Sequence, residues 1–148
     1  MTLRWLIATL HLLTLPLGLG AIWARSRALR RVQGGNLQRV FLADNLWALA
    51  AFLWISTGLL RAFGGLEKGA AYYLHHRAFY VKMSLLVTIL ALEVWPMITL
   101  IRWRIAERRK ATPDLSAAPR LALISRIQAG LVILMVFAAT AMARGFFH

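Results

Sequence analysis

The chain has 148 residues, of which 60% are hydrophobic and 16% are charged, whereas soluble domains have roughly 45 to 50% apolar and about 25% charged residues. This composition excludes a disordered tail and argues against a soluble globular domain, and the absence of cysteine excludes disulfides, thiolate metal sites and cysteine nucleophiles. The net charge of +13 does not indicate nucleic-acid binding, because the basic residues flank long apolar runs instead of forming one patch.

Four apolar stretches follow one another along the chain, at about residues 5–24, 43–60, 79–101 and 121–143. Each has close to the ~20 residues that a helix needs to cross a hydrocarbon core about 30 Å thick. We therefore predict an all-α, polytopic four-helix transmembrane bundle that forms a single domain over residues 1–148. The first stretch is longer than the apolar part of a signal peptide and is followed at once by arginines, so we expect it to be retained.

The basic residues are distributed unequally between the two sides of the predicted bundle. Twelve of the 18 lie in or beside the connections between the first and second helices and between the third and fourth. By the positive-inside rule these two connections are cytoplasmic and both termini are periplasmic, in a bacterial inner membrane. Since basic residues near the membrane surface attract anionic headgroups, the predicted partners are the lipid bilayer and anionic lipids at the cytoplasmic connections.

Ionisable residues within transmembrane helices usually face the bundle interior, which makes them candidate site residues. Here they are His11, Asp44, Lys82, Glu93 and Arg126. Arg126 is expected at the depth of Asp44 and Glu93. We predict a buried polar network in which Arg126 pairs with one of these carboxylates, because unpaired charges are costly in lipid. A proton relay through the same residues is the alternative.

His11 lies on a face of the first helix that repeats every seven residues from Arg4 to Arg25. A neutral imidazole binds metals and titrates near neutrality, so His11 is either an axial ligand of haem or a proton carrier. The alternative is a hydrogen bond to a neighbouring helix. Lys82 either extends to the membrane surface or turns inward toward His11 and an anionic ligand.

The cofactor interpretation requires further residues around a haem b or porphyrin ring. Lys82 or Arg61 would meet a propionate, and His75 or His76 would supply a second axial ligand to complement His11. The adjacent histidines diverge by about 100° on a helix, so they do not form a metal site by themselves, and we predict no separate metal centre.

One pattern of residues extends over all four predicted helices. It consists of His11, Leu12, Leu13, Asp44, Trp47, Ala51, Thr57, Gly58, Arg61, Lys68, Gly69, Tyr73, Phe79, Lys82, Pro96, Trp103, Ala141, Met142, Ala143, Arg144 and Gly145. In these residues the chain resembles a family of bacterial predicted inner-membrane proteins with four helices and no assigned activity. More distantly, His11 and Lys82 resemble positions of the four-helix membrane protoporphyrinogen oxidases, and the apolar bundle with histidines is similar to CopD-type copper-resistance proteins.

The sequence favours three functional hypotheses from different classes, and it does not decide whether the chain is an enzyme. The first is a redox-type membrane protein that binds haem or porphyrin. The second is a non-catalytic assembly or interaction subunit of a membrane complex, for which the many small residues of the fourth helix offer a docking face; Ser125 and Ala129 on this helix are spaced for close packing. The third is a small proton or metal-ion carrier that uses Asp44, Glu93 and Arg126 and works as a homo-oligomer.

Overall fold

The computed structural model describes residues 2–32, 36–65, 75 and 77–144. It contains four α-helices: α1 (Thr2–Arg30), α2 (Gln38–Phe63), α3 (Arg77–Arg108) and α4 (Ala118–Ala143). All four are long and apolar enough to cross a membrane, and no strand occurs in the described ranges. The predicted all-α fold with four helices able to span a membrane is therefore confirmed.

Each helix contains the span predicted for it and continues into the charged residues that flank the apolar run. α1 continues through Arg25 to Arg30, and α3 continues to Arg108. Arginine is a good helix former, so the helices persist where the apolar pattern stops. Several basic residues that the sequence assigns to connections consequently lie on helix faces, where they can be buried or exposed according to their angular position.

The helices pack through α1 and α4. α1 packs against both α2 and α4, and α4 also packs against α3. Small residues permit the close approach of these helices: a Cβ added to Gly18 would lie 3.4 Å from the Cβ of Ala50, and Ser26 donates a hydrogen bond of 2.9 Å to the carbonyl of Ala122. Ser125 and Ala129 are 0% and 3% exposed. These two small residues therefore pack closely inside the bundle, as their spacing predicts.

Two apolar clusters fill the interior on either side of Arg25. One lies at the end of the bundle that carries the α1–α2 and α3–α4 connections, which we call the basic end. It contains Leu29, Val40, Leu100, Trp103 and Leu121 among others. The second, deeper cluster contains Ala21, Ile22, Trp47, Ile89, Ala129, Val132 and Met135. Because Arg25 follows Ile22 by about one turn and precedes Leu29 by another, its side chain is enclosed between two apolar layers.

The outer faces of the helices are covered by large apolar side chains. Leu12, Val87 and Phe137 are examples, with 65%, 65% and 67% of their surface exposed. Apolar patches of this extent are not found on soluble monomers, whereas they are what a lipid bilayer solvates. The outer faces of the spanning helices therefore contact lipid.

The α3–α4 connection is held against α3. After α3 ends, Lys110 adopts a positive φ of 54°, and the N–H of Ala111 donates to the carbonyl of Ala106 at 2.9 Å, which is the helix-ending arrangement usually made by glycine. Trp103 then donates its indole N–H to the carbonyl of Asp114 at 2.9 Å. Hydrogen bonds from the backbone N–H and hydroxyl of Ser116 lower the pKa of the exposed Asp114 carboxyl.

Candidate functional site

Six polar side chains from the four helices meet in one layer of the bundle, which we call the Arg25 cluster. α1 supplies Arg25, α2 supplies Asp44, α3 supplies Glu93 and Arg104, and α4 supplies Ser125 and Gln128. No other group of hydrogen bonds among the described residues joins all four helices. This layer is therefore the principal candidate site.

Arg25 is the centre of this cluster, and its side chain is 0% exposed. A guanidinium has five N–H donors in a fixed plane, and all five are used. Nε donates to Ser125 Oγ at 3.1 Å. Nη1 donates to Asp44 Oδ1 at 2.9 Å and to Glu93 Oε1 at 2.6 Å. Nη2 donates to Glu93 Oε2 at 2.8 Å and to Gln128 Oε1 at 2.9 Å, so Arg25 and Glu93 form the two-pronged pair that makes the strongest ionic hydrogen bonds.

The two carboxylates have further partners besides Arg25. Glu93 Oε2 accepts a second hydrogen bond, from Gln128 Nε2 at 2.7 Å. Asp44 Oδ2 accepts from Arg104 Nη2 at 2.9 Å. Arg104 lies 4.7 Å above the Phe41 ring on α2 and thereby connects α3 to α2. Two cations face two anions in the cluster, so its formal charge is zero.

Complete pairing is what allows these charges to stay in the bundle. Burying an unpaired charge in a medium of low dielectric constant destabilises the folded protein by several kcal/mol even after the structure relaxes. Burying an unpaired neutral polar group destabilises it by about 1 to 3 kcal/mol. Among the described residues no buried side-chain nitrogen or oxygen lacks a hydrogen-bond partner. Because the partners come from four helices, this pairing fixes the rotation and the axial position of each helix relative to the others.

The predicted buried network of Asp44, Glu93 and Arg126 requires a correction. The structure brings Asp44 and Glu93 together, but their cationic partner is Arg25. Arg126 is exposed on the outer side of α4, because it lies about 100° around the helix from Ser125, which faces inward. An arginine close to a helix end can extend along the helix to the membrane surface. The sequence does place Arg25 on the face of the first helix that repeats every seven residues, which indicates an inward side chain. Because Arg25 follows the end of the apolar run, however, the sequence analysis assigns it to the connection.

His11 lies in a different layer, about 21 Å along α1 from Arg25 (14 residues at ~1.5 Å). Its Nδ1 is 2.8 Å from Thr57 Oγ1 on α2. The Thr57 oxygen also lies 2.6 Å from the carbonyl of Leu53; when the hydroxyl donates its proton there, its oxygen accepts a hydrogen bond from His11 Nδ1–H. The Trp54 ring centroid lies 5.9 Å away. A Cβ added to Gly58 would lie 3.3 Å from His11 Cε1. The imidazole ring therefore packs against α2 at a position where a side chain would crowd it.

The other predicted cofactor residues lie toward the end of the bundle opposite the basic end. Arg61 follows Thr57 by one turn of α2, and Lys82 is on α3 next to Met83, which packs near Phe79. Both side chains are half-buried and His75 is exposed, while His76 lies outside the described residues. Within the described part of the chain no three His, Cys, Asp or Glu side chains are placed to hold a metal ion.

Comparison with known proteins finds one family. The model of a family described as predicted membrane protein (DUF2214) matches residues 3–146. No curated protein and no solved structure matches the chain.

Replacing Arg25 by leucine tests whether the cluster holds the bundle together. We expect Arg25→Leu to destabilise the protein by about 3 to 5 kcal/mol, because Glu93 is left buried without a cation. The measurement is thermal unfolding in detergent, followed by tryptophan fluorescence. Arg27→Leu and Arg126→Leu remove exposed arginines of α1 and α4 and serve as controls, for which we expect little change in stability. A larger loss for Arg126→Leu than for Arg25→Leu would contradict the assignment of the cationic partner.

Proposed function

Since the chain belongs to the DUF2214 family of predicted membrane proteins, we propose that it is a non-catalytic component of a bacterial inner membrane that assembles with itself or with a membrane-complex partner. The observation that carries this proposal is the saturation of the Arg25 cluster. Every N–H of Arg25 is bonded to another helix, and the charges balance. The polar groups that a catalytic or transport site would use are thus employed in joining the helices.

The packing of the interior supports the same proposal. The space bounded by Thr14, Gly18, Trp47 and Trp54 has a volume of about 10 Å³, which is at the lower limit for a single water molecule, roughly 10 to 15 Å³ on the same measure. Sites for small molecules have volumes of roughly 300 to 1,000 Å³. A bundle packed in this way acts on other molecules through its outer surface.

The proposed orientation places the basic end in the cytoplasm and both termini in the periplasm. Its support is the unequal distribution of the basic residues, since twelve of 18 lie at or near the basic end. General attraction of this end to anionic lipids follows from the same charge.

Fusions to either terminus test the orientation. We expect a reporter enzyme that is active only in the periplasm to be active at both termini, and a reporter that is active only in the cytoplasm to be active when inserted in the α3–α4 connection. Cytoplasmic activity at the C-terminus would contradict the orientation without affecting the fold.

An apolar replacement of the cluster tests the non-catalytic proposal. The variant Arg25→Leu/Glu93→Leu/Gln128→Leu removes the central groups together and leaves Asp44 paired with Arg104. Since a buried ionic group can often be replaced by apolar residues of similar volume without loss of stability, we expect it to unfold near the wild-type temperature, unlike Arg25→Leu alone. In native membranes it should also migrate in the same oligomer or complex as the wild type.

Two results would overturn the proposal. One is a wild-type chain that migrates at its monomeric mass in native membranes. The other is a proton or metal-ion flux into proteoliposomes that the wild type supports and Glu93→Gln abolishes, which would make the chain a small carrier. The matched control for the flux is Glu107→Gln, which neutralises an exposed glutamate on the same helix.

The geometry of His11 favours a second candidate, the binding of haem b or porphyrin. A histidine that ligates a metal usually donates its other ring N–H to an oxygen atom, which fixes the tautomer and the orientation of the ring. The bond between His11 and Thr57 is of this kind in the tautomer that carries its proton on Nδ1. Arg61 and Lys82 would meet propionates, with His75 or His76 as second ligand.

Absorption spectra of the purified protein, oxidised and then reduced with dithionite, test this candidate. We expect a Soret band in the wild type that His11→Ala abolishes. Gly58→Ala should shift the band, because the added methyl group displaces the imidazole, whereas Gly20→Ala places its methyl group in open space and should leave the spectrum unchanged. A featureless wild-type spectrum after expression with ample haem would exclude the cofactor.

A further inference from the structure

The outer face of α1 carries an open cavity at the basic end. Its volume is about 370 Å³, and its lining residues are Trp23, Arg27, Arg30 and Arg31. All four side chains are exposed, and none of the described residues that line the cavity is acidic. Three guanidinium groups therefore lie around one cavity with no carboxylate among its described lining residues, in contrast to Arg25, whose charge is neutralised inside the bundle.

The angular positions of these residues define a groove along α1. At 100° per residue, Arg27 lies within about 20° of the direction of Gly20, and Trp23 and Arg30 lie together on one side of that line; Arg31 follows directly after the last residue of α1. A Cβ added to Gly20 would meet no atom within 4 Å. Toward the membrane centre from Arg27, the same side of α1 thus has no side chain at Gly20 and has Trp23 beside it.

The depths of the same residues correspond to the layers of a phospholipid. Trp23 lies about 6 Å and Gly20 about 10 Å deeper along α1 than Arg27. Tryptophan concentrates at the boundary between headgroups and acyl chains, which places the arginines at the headgroup level and Gly20 in the hydrocarbon. Guanidinium groups match the geometry of phosphate oxygens better than ammonium groups do.

We propose that this face of α1 is a binding site for one anionic phospholipid, with the headgroup phosphate held by Arg27, Arg30 and Arg31 and one acyl chain lying over Gly20 beside Trp23. The proposal goes beyond general attraction of the basic end to anionic lipid, because it assigns the binding to three of the arginines and includes an apolar contact. It also distinguishes a lipid from free phosphate, which would use the arginines but not Gly20.

Quenching of tryptophan fluorescence by brominated acyl chains tests the site. The full-length protein is reconstituted in phosphatidylcholine vesicles that contain an increasing fraction of brominated phosphatidylglycerol, and Trp23→Phe identifies the contribution of Trp23. We expect Arg27→Gln/Arg30→Gln/Arg31→Gln to raise the half-quenching fraction at least about ten-fold, because it removes the direct hydrogen bonds to the phosphate, and a hydrogen bond to a charged group typically contributes a factor of about ten or more. When phosphatidylcholine carries the bromine instead, the half-quenching fraction should be as high as that of the triple variant with brominated phosphatidylglycerol, both in the wild type and in the variants.

Matched variants separate the site from its alternatives. Arg39→Gln/Arg108→Gln/Arg109→Gln removes the same charge from exposed residues of the basic end and should change the half-quenching fraction less than two-fold. Gly20→Leu should weaken quenching, whereas Gly130→Leu, at an equally open position on α4, should not. Thermal unfolding verifies that each variant is folded.

Three outcomes would overturn the proposal. Equal effects of the two arginine triple variants would leave only non-specific attraction of the basic end. Unchanged quenching in Gly20→Leu, together with displacement of the lipid by inorganic phosphate, would indicate a site for soluble phosphate. Equal half-quenching fractions for phosphatidylglycerol and phosphatidylcholine would exclude recognition of the anionic headgroup.

Discussion

The bonds of one buried guanidinium determine how the four helices are arranged. In a bilayer no hydrophobic driving force acts between helices, so their positions depend on van der Waals packing and on interhelical hydrogen bonds. Arg25 determines the relative positions of the helices, because its five N–H donors lie in one plane and each requires an acceptor at hydrogen-bond distance. Its acceptors belong to the three other helices. A rotation or a shift of any helix by one residue would leave a buried charge or a buried N–H group without its partner.

The surrounding packing is matched to this cluster. Small residues of α4 face α1 where the cluster lies, which brings Ser125 within reach of Arg25. α2 and α3 approach each other less closely, and the long side chain of Arg104 extends between them to Asp44 and the Phe41 ring. Large apolar residues close the layers above and below. The cluster is consequently shielded along the membrane normal, while the side chains of Asp44 and Glu93 keep 17% and 19% of their surface exposed.

The sequence predicted the helices because long apolar runs have few alternatives in a membrane, and it predicted Asp44 and Glu93 as network residues because isolated charges in such runs are costly. It did not predict Arg25 as their partner. An arginine just beyond an apolar run can belong to a connection or to a helix that continues, and only the angular position relative to α4 distinguishes the two. The sequence offered a hydrogen bond from His11 to a neighbouring helix as one alternative, but it did not identify Thr57 as the partner, since that depends on the axial offset between α1 and α2.

The order of the cluster residues along the chain has a consequence for biogenesis. Arg25 leaves the ribosome first, and Glu93 and Gln128 follow 68 and 103 positions later. Asp44 arrives between them, 19 positions after Arg25, so the guanidinium has a carboxylate partner from α2 before α3 and α4 are made. Its pair with Glu93 and its bond to Gln128 form only when those two helices are in place. The last helix to be synthesised therefore completes the set of hydrogen bonds that the first helix requires.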